Sequence, residues 1–171
     1  LHKTSFVVDY TKVRYTLNND YIEVDEKGIY LDRIKFKDLS NNTGLVFGKV
    51  SHNYFRDFNL GIGILAQNLH GIHTSDKDNS IFYGDAYVTG RMDIIGPLKD
   101  IRMDMKLKSE KNTDFNLIAY DDNSFSNYNF IKFTNVNNQS RPVQVKGSTG
   151  ITLNLDMEVT PDADIKIIFD P

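Results

Sequence analysis

The stretch GITLNLDMEVTPDADIKIIFDP, residues 150–171, decides how the chain is read. Ile151, Leu153, Leu155, Met157 and Val159 fall on one parity, and Thr152, Asn154, Asp156, Glu158 and Thr160 on the other. Successive side chains of a strand point to opposite faces, so this pattern makes a strand with one apolar and one solvated face. IRMDMKLKS, residues 101–109, alternates in the same way. Both runs adjoin turn chemistry: Gly96-Pro97 before the one, and Gly150 and Thr160-Pro161-Asp162 around the other.

Outward from these two runs, period-2 alternation recurs along the chain and no helical stripe exceeds two turns. The pattern predicts strands near 4–9, 12–18, 21–25, 28–37, 44–52, 57–66, 82–95, 99–108, 113–119, 129–134, 151–160 and 164–169. Glu26-Lys27-Gly28 and Asn41-Asn42-Thr43-Gly44 supply residues that tolerate positive φ at the turns. Between Leu31 and Ile34 the apolar parity switches, as at a bulge or where a strand changes sheets. Residues 67–80 (QNLHGIHTSDKDNS) and 124–150 lose the alternation and read as long surface loops.

An internal echo adds to this. GLVFGKVSHNYFRDFNLGIGIL aligns with DAYVTGRMDIIGPLKDIRMDMKL: Val46 falls on Val88, Gly48 on Gly90 and Val50 on Met92. After a one-residue slip, Asp57 meets Asp100, and Leu60, Ile62 and Ile64 meet Met103, Met105 and Leu107. The repeating unit is a whole hairpin with a central glycine in its first strand. Units of that size suggest stacked rungs.

The 171 residues fit one domain with its own core, spanning 1–171. There is no cysteine, so no disulfide scaffold is available. The net charge of −3 is spread along the chain without a Lys/Arg cluster, which argues against a nucleic-acid partner. No run of eighteen apolar residues could cross a bilayer as a helix. The chain opens and closes in strand-like sequence and reads as a piece of something longer.

The search for chemistry finds little. His70 and His73 stand three apart in the polar 67–80 stretch beside Asp76 and Asp78. Apart from His52 the sequence offers no further histidine nearby, so a solvated loop is expected and no metal site. Asp76-Lys77-Asp78-Asn79 opens like a calcium loop but lacks the sixth-position glycine and the distal glutamate. Asp104, Asp156 and Glu158 occupy the solvent parity of strands. No GxSxG surrounds a serine, and Gly61-Ile62-Gly63 lies inside an alternating run. The chain therefore reads as a non-enzyme with no catalytic residues and no cofactor.

What remains is the apolar row itself. One apolar face per strand ordinarily belongs to a sandwich core. The hairpin echo, the strand-like ends and the methionines favour an open sheet instead. Met92, Met103, Met105 and Met157, all the methionines of the chain, sit on the apolar parity. Their flexible thioethers suit irregular partners better than a fixed jigsaw.

FYGDAYVTGRMDIIGPLKDIRMDMKLKS (residues 82–109) and the closing 150–171 stretch resemble the carboxy-terminal region of the TamB family (translocation and assembly module), AsmA-like, in its Bacteroidetes form. Tyr83, Gly84, Ala86, Gly90, Gly96, Pro97 and Asp100 carry the first match. Leu153, Leu155, Asp156, Pro161, Asp162, Ala163, Phe169 and Asp170 carry the second. Gly48, Val50, Phe55, Asp57 and Leu60 match the looser AsmA-like repeat upstream, and residues 81–171 correspond to the conserved block. The family's sequence usually continues beyond IIFDP into a Gly-Asp-rich turn and another strand.

The resemblance implies an all-β fold with few or no helices: a curved, repeat-like sheet forming an open apolar trough, the β-taco. It implies a periplasmic part of an inner-membrane-anchored protein of a Gram-negative bacterium, its anchor outside this stretch. The implied work is outer-membrane biogenesis: guiding phospholipid acyl chains between the membranes, beside an Omp85-type outer-membrane barrel. The alternative is a scaffold or chaperone for β-barrel or autotransporter assembly with that partner. On either reading Leu60, Ile62, Ile64, Val88, Met92, Ile94, Ile101, Met103, Met105, Leu107, Ile151, Leu153, Leu155, Met157 and Val159 are expected to line the trough.

Overall fold

A computed structural model describes residues 4–17, 21–79, 82–120 and 150–170. The described residues form eleven strands and no helix. In chain order they are β1 (Thr4–Val8), β2 (Val13–Leu17), β3 (Ile22–Val24), β4 (Gly28–Lys37), β5 (Thr43–Asn53) and β6 (Arg56–Thr74). There follow β7 (Phe82–Pro97), β8 (Ile101–Ser109), β9 (Asp114–Tyr120), β10 (Ile151–Glu158) and β11 (Asp164–Asp170).

All eleven belong to one sheet. Its main path runs β1-β2-β4-β5-β6-β7-β8-β10, with β3 beside β4, β9 beside β7, and β11 beside β9. Pairing is antiparallel as far as β8 and β9; β10 then lies parallel to β8, and β11 parallel to β9. Among the described residues the path does not close, so this is an open sheet and not a barrel.

The last two strands copy the two before them. Ile151 pairs with Ile101 and Asp164 with Asp114, the same offset on either side of a break. At each break the chain makes one turn, Thr113 N donating to the Glu110 carbonyl and Ala163 N to the Thr160 carbonyl. Pro161 presets φ at the second position of the latter. The outer face of this pair is charged on both strands. Lys106 stands opposite Asp156, and Lys108 opposite Glu158, as cross-strand ion pairs of 3.9 and 3.7 Å. The polar parity is thus spent on solvent and the apolar parity faces the other way.

Two sequence features resolve into backbone geometry. The parity switch is a bulge: the β4–β5 register shifts between Leu31 and Ile34, and Arg33 takes a φ of 52°. The extra residue returns Ile34 to the face that Leu31 occupies. The echo is visible in Gly48 and Gly90, at φ 120° and 146°. A Cβ on Gly48 would run into the Gly61 carbonyl, and one on Gly90 into the Lys106 carbonyl, so both hairpins need glycine at the same place.

The expected loop over 67–80 is corrected. β6 continues to Thr74, pairing His70 with Tyr87 and His73 with Asp85. Register shifts between Ala66 and Leu69, and between His70 and Ile72, break the alternation that would have marked it as strand. Only at Ser75–Asp78 does the chain turn, where Asp78 N donates to the Ser75 carbonyl. The expected strand at 129–134 and nearly all of the 124–150 loop lie outside the described residues.

The buried core is small and sits at one end. The β1–β2 hairpin leaves the edge of β4, where Thr16 and Leu17 pair with Lys37 and Phe36, and packs on the sheet. Val13, Tyr15, Phe36 and Leu69 form the cluster, with Leu17, Val46, Ile64 and Ala66 against it. Tyr15 stacks edge-on to Phe36 at 5.1 Å, and its hydroxyl donates to the His70 carbonyl at 2.7 Å. Burial raises the Tyr15 hydroxyl pKa, and Asp38 adds to it. His73 N donates to the Thr11 carbonyl at 2.8 Å. The bulged part of β6 thus gives its spare backbone groups to the hairpin.

Candidate functional site

Strand registers convert the alternation into continuous rows across the sheet. One row runs Leu31–Gly48–Ile62–Ile94–Met103–Leu153. The next runs Ile34–Val46–Ile64–Met92–Met105–Leu155, and a third Phe36–Gly44–Ala66–Gly90–Leu107–Met157. Every position is apolar or glycine. Five inter-strand steps of about 4.8 Å make each row roughly 24 Å long.

The expected lining residues take definite places. Ile62, Ile64, Met92, Ile94, Met103, Met105, Leu107, Leu153, Leu155 and Met157 lie in these rows. Leu60 stands beside them, opposite Val50 and Gly96, and Ile101 begins β8. Val88 lies between Leu69 and Ser109, beside the third row and outside all three. Val159 follows β10 and is 56 % exposed. The side chain of Ile151 lies outside the described residues. What the sequence reading omitted is the share of β4 and β5: Leu31, Ile34, Phe36, Val46 and Val50 extend the same face. Their alternation was visible, but the bulge at Asp32-Arg33 hides its continuity.

Burial grades along the rows. Towards the hairpin Ile34 and Phe36 are buried, whereas Met103, Met105 and Met157 are half-buried and Leu155 is 50 % exposed. Among the described residues no second layer covers β7, β8 and β10. Across the strands Met92 faces Met105, Met103 faces Leu153, and Leu107 faces Met157. This part of the face is therefore a deformable thioether-rich floor.

The opposite face is built differently. Phe47 lies over Gly63, with the Arg91 guanidinium 5.4 Å from its ring centre. Arg91 also makes two 2.7 Å hydrogen bonds to Asp93, which hold that carboxyl below its usual pKa despite some desolvation. Asn154 donates to Asp104 at 2.6 Å. Over β8 and β10 this second face is charged, whereas over β5–β7 it also carries Leu45, Phe47, Leu65 and Ile95.

A second cluster sits at the bulge of β6. Three residues apart in a regular strand, His70 and His73 would point to opposite faces. The bulge between His70 and Ile72 brings their rings to 5.3 Å, and the register puts Asp85 opposite His73. His70 Nε2 lies 2.8 Å and His73 Nδ1 2.7 Å from Asp85 Oδ1. Desolvation pushes the Asp85 carboxyl up, but the hydrogen bonds from His73 and His70 outweigh it and hold the pKa low. The His70 ring stacks on Tyr87 at 4.3 Å and 9°, and His70 N donates to Asp38 Oδ2. The sequence reading lacked a third group because Asp85 is remote in the chain and the strand carrying both histidines read as a loop.

In comparison with known proteins, no family model, no curated protein and no solved structure matches the chain.

Proposed function

We propose that this chain is a non-enzymatic bridge module that guides phospholipid acyl chains along the apolar face of its sheet. The observation that carries the reading is the set of three unbroken apolar rows, roughly 24 Å long, with no second layer over β7, β8 and β10 among the described residues. One leaflet's acyl chains are about 15 Å deep, so a row can hold an acyl chain along its whole length. Each methylene kept from water retains about 0.8 kcal/mol, and a floor of similar side chains offers no deep trap along the way. Head groups remain in water at the rim. The resemblance to the TamB family supports the same work: a periplasmic segment of an inner-membrane-anchored protein approaching an Omp85-type barrel.

A second reading has its own observation. Among the described residues β1 is an end strand of the sheet beside β2, and Phe6, Val7 and Val8 on it are exposed. Such an edge can add a foreign β-strand, as a scaffold for outer-membrane proteins would require. It predicts strand-to-strand crosslinks at β1 and sensitivity to proline there.

The test is to incubate the chain with phosphatidylethanolamine–phosphatidylglycerol vesicles, re-isolate it, and extract and weigh the bound lipid by mass spectrometry. Lipid on the native chain, lost in Met103→Asp with the sheet intact by circular dichroism, supports the conduit. A native chain free of lipid rejects it.

A further inference from the structure

We propose that His70, His73 and Asp85 form a binding site for a divalent transition metal, zinc foremost. Two imidazole nitrogens and a carboxylate oxygen are the donor set that such ions take, and all three ligand atoms lie within 4.8 Å of one another. Tetrahedral zinc with bonds of about 2.0–2.2 Å separates its ligand atoms by roughly 3.4 Å. Asp85 Oδ1 now stands 2.7–2.8 Å from each nitrogen. Asp85 Oδ1 therefore has to draw back from each nitrogen by about 0.6–0.7 Å to admit the ion.

The surroundings fit ligation. His70 is clamped by the Tyr87 ring on one side, and its backbone N–H is held by Asp38, so its imidazole is already oriented. The His73 side chain is 63 % exposed and gives the ion a way in. Ligation takes the tautomer in which His70 Nε2 and His73 Nδ1 carry the lone pair and the ring hydrogen sits on the far nitrogen. Three protein ligands leave a position for water or an incoming group.

The site joins the twice-bulged β6 to β7 at the place where the hairpin docks. His70 accepts the Tyr15 hydroxyl and His73 donates to Thr11, so the backbone of both ligands holds the β1–β2 hairpin over the apolar face. A bound ion fixes that part of β6 and, through it, the covered end of the rows. Metal binding does not depend on the lipid reading.

Zinc titrated calorimetrically into the chelator-stripped chain, alongside His73→Gln and Asp85→Asn, tests this. Expected are one equivalent bound by the native chain and a raised thermal midpoint. In each variant the affinity falls by more than the roughly 10–100-fold that loss of an outer-shell partner costs. His73 is exposed enough for its variant to fold, and an unchanged far-ultraviolet spectrum checks this. The proposal is overturned by a native chain that does not bind zinc, or by His73→Gln binding it as tightly.

Discussion

Ser109 Oγ accepts the backbone N–H of Thr160 at 2.8 Å, while Thr160 Oγ1 donates to the Ser109 carbonyl at 3.1 Å. Ser109 is fully buried, and this exchange fastens the closing segment to the strand it copies. On one side of it β10 lies on β8, and on the other β11 lies on β9.

Ser109→Ala leaves the Thr160 N–H without its acceptor. A buried donor so stranded costs about 1–3 kcal/mol. Urea unfolding should show a loss of that size, and hydrogen exchange should show β10 and β11 opening first. A variant as stable as the parent would mean that the closing strands are held by their ladders alone.

Gly90→Ala and Gly48→Ala meet the same obstacle, a carbonyl of the next strand at a φ that L-residues rarely take. Holding a non-glycine residue there costs of order 1–3 kcal/mol, besides the collision. Both variants should lose at least that much in denaturant unfolding. Gly61→Ala, whose Cβ would meet only the Lys49 carbonyl at 3.5 Å, is the matched control and should lose much less.

Asp25 closes the turn before β4. Lys27 N donates to its carboxylate at 2.7 Å, with Gly28 N and the Tyr30 hydroxyl beside it. Led by the Lys27 hydrogen bond, these hold its pKa below the ordinary value. The sign follows by linkage. Stability from a lowered carboxyl is complete above the unfolded value, near 3.9, and is lost as pH falls through the folded one. Carbon-13 NMR should place the Asp25 midpoint below the ordinary aspartate value, near 3.9. Asp25→Asn should lose less stability than the parent between neutral pH and about pH 3. An Asp25 midpoint at or above that ordinary value would contradict the hydrogen-bonded turn.

Much of this architecture was legible in the sequence because alternation has a single cause. Met103, Met105 and Leu107 had to share a face whatever strand lay beside them, and the Leu31–Ile34 slip marked either a bulge or a change of sheet, of which the structure has the bulge. The partner strands were not legible. That Ile151 lies parallel to Ile101 rather than across a hairpin depends on long-range pairing, which side-chain periodicity does not encode. The His70–His73–Asp85 cluster was hidden for a related reason. Two bulges erased the period of β6, so the histidines lost their strand and with it their neighbour on β7. The same bulges free the backbone groups that bind the hairpin.

The central claim is that one face of this sheet, and not the other, meets acyl chains. Photo-crosslinkers at Leu153 and Ile94 on the apolar rows, and at Thr152 on the charged face, measure it in the presence of phospholipid vesicles. Thr152 is the better outer position because it pairs with Arg102, whereas Asn154 is already engaged with Asp104. Lipid adducts from Leu153 and Ile94, with few from Thr152, are the expected result. Equal adducts from both faces, or none from Leu153, would contradict it.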